Sequence, residues 1–355
     1  MKILITGAHF TPAVATIEEL KKYPDVEIVY VGRKSTQEGD PSPSAESQVL
    51  PRLGVKYIPI ITGRLQREFT IYTIPSILKI PIGFILALMI ILKEKPDAVL
   101  SFGGYVAVPI VIAGWLFSIP VIVHEQTLVS GLANKISSFL ADRITLSFPD
   151  SMRSNEKTIV TGNPLRSQIT VQTNPRRSGK TILITGGNQG SHTINETVEK
   201  CLDKLTKFAK VIHVTGDSKF KDFERLQKRQ NENYIVKKWI GKEYGEILSC
   251  ADLVVSRAGI NTLSELAYLG KPALVIPLPH LFKDEQEKNA KYFEEQGLVK
   301  ILPQSKLSAK SLLENIKLML KNLDELTKIA KMAKKVIIPD AGKHLALETY
   351  LLALR

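Results

Sequence analysis

Cysteine is nearly absent from this 355-residue chain: only Cys201 and Cys250 occur, far apart and with no CxxC pair. Two such residues build neither a disulfide framework nor a cysteine metal site, so a reducing, cytoplasmic-side environment is the simplest expectation. No secretory leader is expected either, because Lys2–Thr6 already reads as a strand, with no basic region, apolar run and cleavage site before it. Membrane-length runs are missing as well. Ile80 to Leu92 gives thirteen uncharged residues between Lys79 and Lys93, too few for a hydrocarbon layer of about 30 Å. Ala98 to Val123 is longer, but Gly103-Gly104, Pro109 and Pro120 break it into strand, glycine turn, buried helix (Val108–Phe117) and strand. No transmembrane helix is expected. Arginine-aromatic interleaving is absent too, and with it any nucleic-acid motif, so no nucleic-acid partner is expected.

Negative charge is in deficit. The net charge of +13 points to an anionic partner, which leaves acidic headgroups or phosphorylated substrates. Much of that excess sits on scattered helical lysines such as Lys317, Lys321, Lys328 and Lys331. Apolar content of 44% and charged content of 23% are ordinary for a globular protein, and the length predicts two domains.

An internal echo organises the chain. Ile3-Leu4-Ile5-Thr6-Gly7 recurs as Ile182-Leu183-Ile184-Thr185-Gly186. Each copy is a buried-type strand that ends in glycine and runs into a helical stretch, Pro12–Lys22 and then Ser191–Leu205. In the first half, Ile3–Thr6, Glu27–Gly32, Val55–Pro59, Ala98–Ser101, Val121–His124 and Arg143–Ser147 read as strands. In the second half they are Thr181–Thr185, Lys210–Thr215, Tyr234–Trp239, Leu253–Ser256 and Ala273–Pro277. Strands interleaved with helices predict an α/β protein of two Rossmann-like, doubly wound parallel-sheet domains facing a shared cleft. The expected domains are residues 1–165 and 166–339, with a final helix, 340–355, packing back onto the first. Thr36–Glu46 reads as a surface loop and Val171–Gly179 as the linker.

Four segments carry chemistry. Gly7-Ala8-His9-Phe10-Thr11-Pro12 follows the first strand; Thr11 is the expected helix cap and Pro12 suits the first turn. His9 then lies in a glycine turn at the cleft, where histidine is the usual general base near neutral pH. Gly186-Gly187-Asn188-Gln189-Gly190-Ser191 is the matching turn, and it lacks the Lys-Ser/Thr ending of an NTPase P-loop. Ser256 to Glu265 leaves a strand, turns at Gly259 and enters a helix near Asn261 or Thr262, aiming backbone N–H groups at a diphosphate. Glu265 reads as a first-turn acid. In His280 to Asn289, Gln286 and Asn289 share one helical face, suited to sugar hydroxyls.

These segments, in this order, resemble the MurG family of undecaprenyl-diphosphate-muramoylpentapeptide N-acetylglucosaminyltransferases. Further matching stretches are Ser101-Phe102-Gly103-Gly104-Tyr105-Val106, His124-Glu125-Gln126 with Gly131-Leu132-Ala133-Asn134, and Thr161-Gly162-Asn163-Pro164-Leu165-Arg166. The resemblance implies a GT-B fold and an inverting transfer of N-acetylglucosamine (GlcNAc) from UDP-GlcNAc, with no metal or other cofactor. The implied acceptor is a lipid-linked muramoylpentapeptide, lipid I, converted to lipid II at the cytoplasmic face of the membrane. It further implies that Arg166, Asn188, Gln189 and the Gly259-Ile260-Asn261-Thr262 turn hold the uridine diphosphate. Ile240 would flank the uracil, Glu265 would bind the ribose, and Gln286 and Asn289 the sugar. His9, Thr11, Tyr105, His124, Glu125, Gln126 and Asn134 fall on the acceptor side, with His9 or the neighbouring acid Glu125 taking the proton of the attacking hydroxyl. The chain departs from the family at its glycine-poorer first loop, at Thr127 for asparagine, at Asn188 for serine and at Glu285 for an amide. Tyr72–Leu92, bordered by Arg64, Arg67, Lys79, Lys93 and Lys95, suits a peripheral patch on an anionic membrane. Other readings of the residues are a glycolipid transferase with another acceptor, a UDP-sugar 2-epimerase, and a silent donor-binding scaffold.

Overall fold

The computed structural model describes residues 1–33, 44–63, 73–149, 155–170, 179–187, 190–217, 219–279 and 284–355. The expected loop at residues 36–46 falls largely outside them, as do most of the expected linker, Asn188, Gln189, His280, Arg64, Arg67 and Tyr72. The chain divides into two compact units, Met1–Arg166 with Asp340–Arg355, and Ser167–Pro339.

In the first unit the order is β1 (Lys2–Thr6), α1 (Phe10–Leu20), β2 (Glu27–Gly32), α2 (Ala45–Val49), β3 (Lys56–Pro59), α3 (Thr73–Glu94), β4 (Ala98–Ser101), α4 (Ala107–Leu116), β5 (Val121–Glu125), α5 (Leu132–Leu140), β6 (Arg143–Leu146) and β7 (Thr158–Val160). The second unit holds α6 (Ser167–Thr170), β8 (Thr181–Thr185), α7 (His192–Leu205), β9 (Lys210–Val214), α8 (Asp222–Gln227), β10 (Tyr234–Lys237), α9 (Tyr244–Cys250) and β11 (Leu253–Ser256). It continues through α10 (Ile260–Leu269), β12 (Ala273–Val275), α11 (Glu285–Glu295), β13 (Val299–Ile301), α12 (Ala309–Lys321) and α13 (Leu323–Met332). The chain then rejoins the first unit as α14 (Ala341–Ala353), which packs on α1.

Both sheets are parallel. Their strand orders are β3-β2-β1-β4-β5-β6-β7 and β10-β9-β8-β11-β12-β13. The echoed Ile-Leu-Ile-Thr strands, β1 and β8, therefore occupy the same place in each sheet, where the strand order reverses; Leu4 pairs with Val99 and Leu183 with Val254. A parallel sheet is covered on both faces, and its central strands are apolar throughout for that reason. In the first unit α1 and α14 close over one face through Ile17, Leu20, Leu345 and Leu352, while α3 and α4 close over the other through Ala87, Ile91, Ile110 and Val111. In the second unit α7, α8 and α12 close over one face through Val198, Leu226 and Ile316. Ligands of such sheets bind beyond the carboxyl ends of the strands at the reversal point, so the loops after β1, β4, β8 and β11 are where chemistry is sought.

Three expectations need correction. The short edge strands β7 and β13 were not among the predicted strands, because three residues carry no periodicity. Ser147, Thr215, Trp239 and Pro277 lie beyond the strand ends. The thirteen-residue apolar run belongs to a 22-residue helix, α3, with Lys79 and Pro81 inside it. By length and composition α3 is apolar enough to cross a membrane, although one side of it is anchored on the sheet by Ala87 and Ile91.

Candidate active site

In the first unit, the loop after β1 and the loop after β4 are stitched together by backbone bonds. Phe102 N donates to Thr6 O (2.7 Å) and Ala8 N to Gly103 O (2.9 Å). Gly103 adopts φ +68°, and a Cβ there would stand 2.0 Å from Asn134 Oδ1. Only glycine fits, since any other residue would be strained in its backbone and would displace Asn134.

His9, not Thr11, is the cap residue of α1. It makes no side-chain capping bond, and Thr11 sits one place inside the helix, nearly buried. The sequence misplaces the cap because Thr-Pro is a common helix start, whereas here the turn closes two residues earlier. His9 is half-buried. Burial first, and the Arg33 cation second, lower its pKa to about 4, so the imidazole is neutral at pH 7 and able to accept a proton.

His124 has no exposed surface. Its Nδ1 lies 3.0 Å from Thr145 Oγ1 and its Nε2 3.2 Å from Ser147 Oγ. Burial, and after it the neighbouring His9, take its pKa down to about 3. Both ring nitrogens are engaged inside the protein, and the ring supports the neighbouring loops from beneath.

Glu125 is nearly as buried. Its Oε1 accepts from Thr127 N (3.0 Å) and Thr127 Oγ1 (2.8 Å), and its Oε2 accepts from Asn134 Nδ2 (2.8 Å). Burial raises its pKa against those bonds. Both oxygens take hydrogen bonds, and Glu125 thereby organises the loop after β5. Thr127, the departure from the family's asparagine, supplies two of the bonds to Glu125. Tyr105 is half-buried in the turn that precedes α4. Among the described residues, the buried acceptors without a hydrogen-bond partner include Gln126 Oε1 and Asn134 Oδ1.

In the second unit, Ser191 caps α7, accepting from Ile194 N at 3.5 Å. Gly259 caps α10 in extended backbone without a side-chain bond. The first N–H groups of α10, at Ile260, Asn261 and Thr262, therefore have no intrahelical acceptor, the geometry that favours an anion at a helix start. Asn261 and Thr262 are half-buried, and Ile260 is buried.

Glu265 is the sixth residue of α10, not a first-turn acid, because the helix begins at Ile260. It is fully buried, and Tyr244 Oη donates to its Oε2 at 2.9 Å. Asn289 is fully buried; its Nδ2 reaches Ala258 O at 3.4 Å and its Oδ1 has no hydrogen-bond partner among the described residues. Gln286 Oε1 accepts from Leu278 N at 2.9 Å, closing the β12–α11 loop. Ile240 is half-buried beside an exposed Trp239. Arg166 is the last residue of the first unit and is described with that unit, not with these loops.

Arg257 was missed from sequence. It is 8% exposed; its Nη1 donates to Ile276 O (3.0 Å) and Pro277 O (3.4 Å), and its Nη2 to Ser191 Oγ (2.8 Å). One guanidinium thus ties together the loops after β8, β11 and β12, and burial lowers its pKa. The available signal was an arginine set directly after the apolar run Leu253–Ser256. Among the described residues no cluster of three His, Cys, Asp or Glu side chains could hold a metal ion.

Residues 6–146 match the glycosyltransferase family 28 N-terminal domain, and residues 181–345 match the family's C-terminal domain. A Bacillus cytotoxicus protein named UDP-N-acetylglucosamine--N-acetylmuramyl-(pentapeptide) pyrophosphoryl-undecaprenol N-acetylglucosamine transferase is 34% identical over 97% of both chains. The crystal structure of Acinetobacter baumannii MurG superposes with a TM-score of 0.73 at 26% identity, covering 99% of each chain. This chain belongs to the MurG family. Its fold is GT-B, and it is a glycosyltransferase. The UDP-GlcNAc 2-epimerase of Neisseria meningitidis, crystallised with UDP-GlcNAc, shares the fold at 18% identity and a TM-score of 0.65, covering 99% of this chain and all of that one. Fold alone therefore does not separate transferase from epimerase. Full-length sequence identity to MurG-family enzymes does.

Proposed function

We propose that this protein transfers GlcNAc from UDP-GlcNAc to N-acetylmuramyl-(pentapeptide) pyrophosphoryl-undecaprenol, converting lipid I to lipid II in peptidoglycan synthesis, with inversion at the transferred carbon. The observation that carries the reading is 34% identity over 97% of the chain to an enzyme named for that reaction, joined to the start of α10, whose first N–H groups point away from the helix.

Each unit has its own task. In the first, neutral His9 accepts the proton of the acceptor hydroxyl as its oxygen bonds to the anomeric carbon of GlcNAc. The loop fixed by Glu125, Thr127 and Asn134 presents Gln126 Oε1 and Asn134 Oδ1 to acceptor donor groups, which removes the penalty of leaving buried acceptors unpaired. In the second unit, the bond from the anomeric carbon to the diphosphate breaks and negative charge grows on the leaving UDP. The amides at Ile260, Asn261 and Thr262 stabilise that charge. Glu265 receives the ribose hydroxyls, Ile240 flanks the uracil, and Asn289 Oδ1 accepts from the sugar.

The first unit also meets the membrane as a peripheral, cytoplasmic-face protein. Leu78, Ile82, Ile85, Met89 and Leu92 recur at intervals of three and four residues along α3 and are exposed. Leu132, Ile136 and Phe139 repeat the pattern on α5, where Phe139 is 85% exposed. Lys79, Lys93 and Lys135 lie on the same helices. An apolar stripe with basic neighbours gains from insertion at an anionic interface.

Radiolabelled UDP-GlcNAc incubated with lipid I in vesicles should give label that extracts with lipid. Label recovered as a free epimerised sugar, or none in the lipid phase, overturns the assignment.

A further inference from the structure

We propose that Tyr244 is the positioning residue that holds the Glu265 carboxylate for the donor ribose, and that it thereby sets how strongly the enzyme prefers a ribonucleotide over a 2′-deoxyribonucleotide. This rests on the reading that Glu265 receives the ribose. Tyr244 was no part of the site drawn from sequence, because it lies 21 residues from Glu265 on a different helix.

The geometry is specific. Glu265 has no exposed surface and its Oε2 accepts the Tyr244 phenol at 2.9 Å. The last torsion of a glutamate side chain is broad. Committing one oxygen to a ring hydroxyl selects one rotation of the carboxylate and so one direction for its remaining lone pairs. The phenol is itself held. Tyr244 N donates to Gly241 O at 3.2 Å, closing the loop that carries Ile240. The next residue, Gly245, lies so close to α6 that a Cβ would stand 1.7 Å from Gln168 O. The start of α9 therefore cannot slide, and Tyr244, half-buried on that start, links the loop proposed for uracil to the acid proposed for ribose.

Ribose offers two vicinal hydroxyls as donors, and a 2′-deoxyribose offers one. A buried acceptor oriented for a hydroxyl rejects the analogue that lacks it more strongly than an apolar pocket discriminates by size. A carboxylate that loses the Tyr244 bond has a wider choice of rotation and can re-aim toward whichever hydroxyl remains, so discrimination depends on the clamp as well as on the acid.

The test compares UDP and 2′-deoxy-UDP binding by calorimetry in the full-length protein, with KM and kcat for UDP-GlcNAc alongside. Wild type should bind UDP roughly tenfold more tightly than the deoxy analogue. Tyr244→Phe, which keeps the ring and removes one oxygen, should weaken UDP severalfold, leave 2′-deoxy-UDP within about twofold, and shift KM more than kcat. Equal losses for the two ligands would mark a merely structural tyrosine and overturn the proposal, as would an unchanged ratio. Glu265→Gln separates the two readings. If wild type does not distinguish the ligands and Glu265→Gln binds UDP normally, the ribose assignment fails first and the role of Tyr244 with it. If Glu265→Gln abolishes the preference but Tyr244→Phe retains it, only the tyrosine is overturned.

Discussion

His9 and His124 are both neutral at physiological pH, but for different ends. His124 is sealed between two hydroxyls and fixes the floor of the loops. His9 keeps accessible surface, and burial together with Arg33 sets its pKa at about 4. A base must be unprotonated to act, so the rate falls as pH drops through its pKa. For the free enzyme, the acid limb of kcat/KM should lie well below the ordinary histidine value of about 6.5. The acceptor's pyrophosphate, once bound nearby, favours the protonated imidazole and moves the limb of kcat upward. The two profiles should therefore separate, and His9→Gln should lower kcat by about 10²-fold or more with UDP affinity retained. Coincident limbs near pH 6.5, or a His9→Gln enzyme of normal turnover, would remove His9 from proton transfer.

At the scale of elements, α3, α4 and α5 pack side by side on one face of the first sheet, and two of them expose an apolar stripe. Replacing Leu78 and Ile85 by glutamate together should reduce co-sedimentation with vesicles containing anionic lipid by about tenfold, since each inserted side chain contributes on the order of 1 kcal/mol. UDP affinity in solution should not change. Equal vesicle binding by the variant would place the membrane contact elsewhere. The same helix shows what sequence reveals and what it conceals. The apolar run was plain, but its ends were misjudged, because Lys79 was taken as a border when a helix carries a lysine readily on an exposed flank. The central strands were legible for the opposite reason: β1, β4, β8 and β11 are buried on both faces and read as unbroken apolar runs. Glu265 stands out in the sequence as a candidate acid, whereas its partner Tyr244 and the three-loop clamp of Arg257 do not. Those contacts join residues 19 to 66 positions apart, and spacing along a chain holds no record of them.

The whole molecule repeats one architecture, and among the described residues each copy holds one fully buried histidine. His124 in the first unit is matched in the second by His213, which lies on β9 with Nδ1 2.9 Å from Tyr234 Oη and Nε2 3.0 Å from Asn195 Oδ1. Burial takes both pKa values down to about 3. In the unfolded chain each histidine titrates near 6.5. Between those values the unfolded state binds more protons than the folded state, so stability rises with pH across the window and is lost on acidification. Each residue contributes about 1.4 kcal/mol per pH unit below its unfolded value, and because each unit contains one, neither is spared. Urea midpoints should therefore fall steadily from pH 7 to pH 5. Glutamine retains hydrogen-bonding capacity without a titrating proton, so His213→Gln should lower stability at pH 7 yet flatten the slope. Parallel wild-type and variant curves across that range would show that the acid sensitivity arises from other groups.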